Sequence, residues 1–400
     1  MAASVAQAED AELMHLPVEF PVQQGADSVQ MVAASGSLVP SGLLWYERMT
    51  ARQVLPASSV ESIIAVARHS AVVVPWDAAH QSGSMLDTLL AQASAAGVQI
   101  RPLTVINDDD RWYMEDQKGH PTDHGHWGRD TFGRWMKAES ARPQTQDAPA
   151  LSIALLGTEA DQRNVYPATL AALGDAAEAA NLDLRVRFVD PVSFTPEALD
   201  SVKAIVLPGG SDMANVPGQI SAARQALASG IPVLGLCLGM QSMTTALAQG
   251  IPGLEQANMA EAAPNAVLKS FVAMAGLSGL EDHRLGDRRL KFAISAMEQK
   301  FQNHAMIRCN HRFMLNPKLI DALLAAGMVV TATDATGQIV DAMAWPHHPF
   351  FQGMQGHPEQ GSGVGKPHPL IVDFLRAAGS SANDRPANQR SGSNRQELHP

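Results

Sequence analysis

Ile231-Pro-Val-Leu-Gly-Leu-Cys237-Leu-Gly-Met-Gln241 joins a short apolar run to a cysteine bracketed by Gly235 and Gly239. Residues 231–236 read as a buried strand, and an apolar helical pattern follows at once through Met240, Met243, Thr244 and Leu247. A side chain on a sharp turn between a buried strand and a helix is held strained and accessible. Small neighbours let substrate and backbone approach it, as in the Gly-x-Ser-x-Gly elbow of hydrolases. The helix N-terminus behind the cysteine favours a thiolate and offers N–H groups to an oxyanion. Taken alone, the pattern leaves two readings open, a nucleophile or a core thiol.

Outward from that stretch, strands and helices alternate. Residues 151–156 read as a strand, and 166–181 as a helix with Leu170, Leu173, Ala177 and Ala180 on one face. Strands follow at 184–189 and at 202–207, the latter running straight into Pro208-Gly209-Gly210, and then a helix over 220–228. This alternation predicts an α/β fold, a doubly wound and mostly parallel sheet with flanking helices. Ligands bind such sheets beyond the carboxyl ends of the strands, where both Gly209-Gly210 and Cys237 lie.

Residues 1–140 read as a smaller N-terminal domain of unknown function. There Val60, Ile63, Ile64 and Ala67 have helical spacing, and 70–76 and 98–106 resemble strands. Between them, 84–97 reads as a helix with Ser84 at its N-cap and Gly97 at its stop, so a small α/β domain is expected. Residues 141–150 read as a linker, 151–379 as the main domain, and 380–400, rich in Ser, Asn, Arg and Gln, as a disordered tail.

The 400-residue chain is long enough for such a division. Its net charge of −11 argues against a nucleic-acid or anionic-membrane surface. Two cysteines cannot make a disulfide framework and fit a reducing cytoplasm, and the first residues lack the pattern of a signal peptide. No apolar run approaches the roughly 18 residues of a membrane span. His124 and His126, with Asp123 or Asp130, are the one suggestive metal cluster. Their spacing matches no zinc pattern, and neither metal nor cofactor is expected.

A cysteine nucleophile needs a base and a group to orient it. Among fourteen histidines, His357-Pro358-Glu359 stands out because it supplies both two residues apart, after the strand-like run 350–355. His311, His347, His348 and His368 have no comparable carboxylate and read as surface or hydrogen-bonded loop histidines. Cys309, in an apolar run without glycines, reads as a packing residue.

Pro-Gly-Gly, Gly-Leu-Cys-Leu-Gly-Met-Gln and His-Pro-Glu, in this order, resemble the class I (triad) glutamine amidotransferases. The resemblance is strongest to the glutaminase domain of CTP synthase and runs from about 152 to 378. It implies that Cys237 attacks the amide carbon of L-glutamine to give a γ-glutamyl thioester and ammonia. His357 then moves the proton and Glu359 holds its ring. It implies an oxyanion site at the N–H groups of Gly210 and Leu238, with Gly209, Gln241, Glu261 and Arg312 as glutamine-binding residues. An Arg fork suits a carboxylate, and a Glu suits an ammonium.

Departures from the pattern are Ser211-Asp-Met-Ala-Asn after Pro-Gly-Gly, and Gly356 in place of an aromatic, which is expected to loosen the packing behind the base. The chain also contains no Gly-x-x-x-x-Gly-Lys-Ser/Thr, so it is not expected to make CTP by itself. The leading expectation is therefore a cytoplasmic glutaminase that supplies ammonia to a separate synthase or amidoligase. The alternatives are a stand-alone γ-glutamyl hydrolase and a non-catalytic glutamine sensor.

Overall fold

Five strands, Leu151–Leu156, Leu184–Val189, Ile205–Leu207, Val233–Leu236 and Phe351–Met354, run parallel in the computed structural model. In space they stand in the order second, first, third, fourth, fifth, one of the two common orders of doubly wound sheets. The structure describes residues 1–18, 29–39, 43–78, 81–140 and 150–383. The expected linker falls outside these residues except for its last position. So does the expected tail beyond Asn383. The final helix, Pro369–Asn383, runs four residues past the expected boundary at 379.

Parallel strands need crossover connections, and helices covering both faces turn the strands into near-continuous apolar runs. The burial shows this alternation of faces. Ile205, Leu207 and Val233 pack with Ile220, Ala223, Met240 and Met243 of the helices Val216–Ser229 and Leu238–Gln249. Val206, Leu234 and Leu236 point the other way, against Leu173 and Ala177 of Pro167–Ala180 and Ile371 and Phe374 of the last helix. Val340–Ala344, Val329–Thr333 and Lys291–Phe292 extend the sheet antiparallel beyond Phe351–Met354, to eight strands. A separate antiparallel ribbon, Arg284–Arg289 with Met306–His311, meets the chain just after the fifth parallel strand through a bridge between Arg308 and His357.

The N-terminal residues are mixed α and β, although their strands are not those expected. Helix Val60–Ala67 forms with Ser59 as its cap, the Ser62 N–H donating to the Ser59 hydroxyl. Helix Gly83–Ala95 is preceded by Ser82 rather than Ser84, and Gly97, at φ +70°, ends it. Of the expected strand 70–76 only Val72–Val73 pairs, parallel to Glu12–Leu13 and half-buried. The expected strand 98–106 begins only at Thr104, because Pro102 has no N–H to give a ladder. Thr104–Asp108 then opens an antiparallel four-stranded sheet with Arg111–Glu115, Trp127–Arg129 and Trp135–Lys137 instead of a βαβ unit. Among the described residues no helix is long and apolar enough to cross a membrane.

Candidate active site

Three adjacent parallel strands deliver three sequence motifs to one sheet edge. Gly235 is in register with Leu207 on one side and with Gly353 on the other. The chain therefore leaves the sheet side by side as Pro208-Gly209-Gly210, as Cys237 and as Gln355-Gly356-His357.

Cys237 sits at φ +48°, ψ −108°, between the strand Val233–Leu236 and the helix Leu238–Gln249. A non-glycine residue held there costs about 1–3 kcal/mol and persists only where the surroundings impose it. They do. The Cys237 N–H donates to the Met354 carbonyl at 2.8 Å, and the Cys237 carbonyl accepts from the Gln241 N–H at 3.1 Å. Behind the turn, Gly239 lies so close to the third strand that a Cβ there would fall 1.9 Å from the Leu207 carbonyl oxygen. The helix can start directly beneath the cysteine only because this position has no side chain. A buried relay ties that helix to the neighbouring turn. Ser242 donates to the Gln219 amide oxygen at 2.8 Å, and Gln219 Nε2 donates to the Pro208 carbonyl at 3.2 Å.

His357 and Glu359 are both buried, and His357 Nδ1 lies 2.7 Å from Glu359 Oε1. That contact leaves Nε2 as the ring nitrogen not engaged by Glu359. Burial disfavours the imidazolium, but the Glu359 carboxylate and the Cys237 sulfur together outweigh it and raise the His357 pKa to about 10. A Cβ on Gly209 would lie 2.8 Å from His357 Cε1 and 3.4 Å from Cys237 Cβ, so the glycine turn lies against both groups. The packing behind the base is not loose at Gly356. Ile307 fills the space, and a Cβ on Gly356 would meet Ile307 Cγ1 at 2.6 Å.

A small cleft opens at Cys237, lined by Gly210, Ser211, Leu238, Gln241, Glu261, Asn310, His311 and Arg312. It brings together Gly210, Leu238, Gln241, Glu261 and Arg312 from the sequence-derived set, while Gly209 lies beneath it against His357. The Gln241 amide oxygen is buried without a hydrogen-bond partner, an acceptor facing no protein donor. Glu261 is exposed at the rim and Arg312 half-buried, so an acid and a guanidinium flank the cleft mouth.

Ser211, Asn310, His311 and Gln355 are additions to the sequence-derived set. Gln355 is buried directly after the fifth strand, with its Nε2 3.8 Å from Cys237 Sγ. His311 is not a surface residue. It is buried, its Nδ1 donating to the Phe313 carbonyl at 3.0 Å and its Nε2 accepting from Arg284 at 3.2 Å. Burial and the Arg284 charge depress its pKa to about 3, so it lines the cleft as a neutral ring. Asp341 grips Arg284 through both oxygens, at 2.6 and 3.0 Å. His348 and His368 are likewise buried, whereas His347 is exposed.

Cys309 is fully buried, and burial pushes its thiol up to about 12. In the N-terminal region His124 is buried between Glu9 and Thr122, at 2.9 Å from each. His126 packs on Tyr113. No group of three His, Cys, Asp or Glu able to hold a metal occurs among the described residues.

The family model for glutamine amidotransferase class-I matches residues 172–377, just over half of the chain. The chain belongs to the class-I glutamine amidotransferases. Within the family it is similar to CTP synthases. That of Thermosynechococcus vestitus is 34% identical over 245 residues, covering 58% of this chain and 45% of the relative. That of Acidothermus cellulolyticus is 33% identical over 264 residues, 61% of this chain and 47% of the relative. The chain thus spans less than half the length of these relatives. Among solved structures it resembles the Trypanosoma brucei CTPS glutaminase domain with bound acivicin. The TM-score is 0.53 and the identity 26%, over 58% of this chain and 94% of that domain. The amidotransferase match includes Cys237, His357 and Glu359 and excludes residues 1–140.

Proposed function

We propose that this amidotransferase hydrolyses L-glutamine to glutamate and ammonia through Cys237, His357 and Glu359. It passes the ammonia to a synthase or amidoligase that lies outside these 400 residues. The observation that carries the reading is the convergence, at three neighbouring strand ends, of a cysteine at positive φ, a buried histidine–glutamate pair and a double-glycine turn.

The glutamine side chain enters the cleft amide first. Cys237 Sγ, its proton drawn to His357 Nε2, bonds to the amide carbon. The carbonyl oxygen becomes an oxyanion held by the N–H groups of Gly210 and Leu238. Collapse of this intermediate breaks the C–N bond, and His357 returns the proton to the departing nitrogen, which leaves as ammonia. Water, deprotonated by His357, then cleaves the γ-glutamyl thioester to glutamate and regenerates the thiol. Glu359 keeps the imidazole in one tautomer and stabilises its cationic form throughout. Glu261 receives the substrate ammonium and Arg312 its carboxylate, with Gln241 accepting from the substrate between them and Gly209 leaving the approach clear. We place the reaction in the cytoplasm, which two unpaired cysteines support.

In this arrangement residues 151–379 form the glutaminase unit, and 1–140 an accessory unit joined through 141–150. Ammonia release from glutamine tests the reading. Cys237→Ala is expected to reduce it at least about 10³-fold. Release at the wild-type rate from that variant overturns the assignment.

A further inference from the structure

Residues His357 to Ser362 form a short loop with the proposed base at one end, and the N-terminal region holds it directly at Ser362 and through Arg308 at His357. At its start, the His357 N–H donates to the Arg308 carbonyl at 2.8 Å. The Arg308 side chain is nine-tenths buried and held almost entirely from outside its own strand. It reaches Glu47 at 3.2 Å, the Val32 carbonyl at 2.7 Å and Asp287 at 2.5 Å. At the far end, Arg48 donates to the Ser362 carbonyl at 2.6 Å and pairs with the fully buried Asp175 at 2.6 Å. Glu47 and Arg48 are consecutive in helix Leu43–Thr50, so one turn of one helix touches both supports.

The amidotransferase part is shaped to receive this contact. Asp175 is the one buried charged residue of Pro167–Ala180, and its second oxygen is taken by Arg134, also from the N-terminal region, at 3.2 Å. Its neighbour Gly174 makes room for Phe132, since a Cβ there would fall 2.7 Å from the Phe132 ring.

We infer that Glu47 and Arg48 are positioning residues for the glutaminase reaction, with the N-terminal region acting as an intramolecular clamp on the His357–Ser362 loop. The inference rests on His357 and Glu359 being the base and its orienter. The clamp sets the height of His357 above Cys237, and its Arg48 arm touches none of the residues assigned to glutamine. Loosening it therefore slows the chemical steps more than it weakens substrate binding.

The test uses the full chain and two arginines that grip the same aspartate. Arg48 also touches the base loop, whereas Arg134 does not. Arg48→Ala is expected to lower kcat for glutamine hydrolysis about tenfold with KM changed less than twofold, and Arg48→Lys, which keeps a donor for Ser362, to recover at least half of the loss. Arg134→Ala is expected to lower the unfolding temperature but leave kcat within twofold. Glu47→Gln, nearly isosteric and so tolerated by the fold, is expected to lower kcat about threefold. Equal kcat losses in Arg48→Ala and Arg134→Ala, or unchanged kcat in both Arg48→Ala and Glu47→Gln, overturn the clamp. A wild-type chain that neither hydrolyses glutamine nor is labelled at Cys237 by a glutamine-derived diazo-ketone overturns instead the reading on which the clamp rests.

Discussion

Gly209 is the residue where the geometry of the site is most exposed to a single methyl group. A Cβ at this position would stand 2.8 Å from His357 Cε1 and 3.4 Å from Cys237 Cβ. The imidazole is buried and cannot swing away without losing its 2.7 Å contact with Glu359. Gly209→Ala is therefore expected to displace the ring rather than distort the sheet. We expect it to lower kcat by about 10²-fold, the scale on which a misplacement of about 1 Å acts, while the unfolding temperature shifts little. Steady-state kinetics and a thermal melt on the same preparation check both halves. At this scale the sequence says a great deal. Cys237 with its glycines and His357 with Glu359 are each local patterns, and their chemistry follows from neighbours in the chain. Asn310 and His311 are not legible in that way. They reach the cleft only because the strand Met306–His311 folds back against the segment at His357. Their one mark in the sequence is the neighbouring Arg312, which the family resemblance implicates.

Single elements are held in place by backbone packing as much as by side chains. The helix Leu238–Gln249 starts under Cys237 because Gly239 admits the Leu207 carbonyl at a distance no Cβ tolerates. Gly239→Ala sets backbone against backbone, with no flexible side chain to yield. Its cost is expected to be about 3 kcal/mol or more, visible as a lower denaturant midpoint. Gly83→Ala, at the start of an exposed helix with open space around it, is the matching control and is expected to be neutral. Leu151–Leu156, Ile205–Leu207 and Val233–Leu236 are legible in the sequence as largely apolar, buried runs followed by a glycine, a proline and a cysteine, whereas Leu184–Val189 alternates with exposed arginines. The four-stranded N-terminal sheet is harder to read, because Thr104–Asp108 is exposed along most of its length and its apolar alternation is weak. Its one clear signal is the turn. Asp109 and Asp110 both have positive φ, at +49° and +62°, and link Thr104–Asp108 to Arg111–Glu115 as a two-residue hairpin loop. An Asp pair in that setting is the cue that separates the hairpin from a βαβ unit.

Across the whole molecule, several buried histidines make stability sensitive to mild acid. Burial depresses the pKa of His15 and of His304 to about 4 each, and burial with Arg284 depresses that of His311 to about 3. Below about 6.5 the unfolded chain binds these protons while the folded one does not, so stability falls as pH drops from about 6.5 towards 4. His357 acts in the opposite window. Its raised pKa contributes stability that is complete below about 6.5 and lost as pH rises through about 10. The unfolding temperature is expected to fall by on the order of 5 °C between pH 7 and pH 5, a range that carboxylates with ordinary pKa values scarcely enter. A melt that is flat across that range contradicts the assignment of these rings as neutral. The clasp of Asp175 by Arg48 and Arg134 also belongs to this scale, and no local pattern announces it. An acid on the buried face of an apolar helix is its only trace in the sequence.

The sulfur of Cys237 is the reacting atom of the proposed chemistry. Mass-spectrometric mapping after treatment with a glutamine-derived diazo-ketone, run beside an ammonia assay, tests it most directly. The expected result is one adduct on Cys237, none on the buried Cys309, and loss of both the adduct and ammonia release in Cys237→Ala. An adduct on Cys309, or undiminished ammonia release from Cys237→Ala, contradicts the proposed reaction.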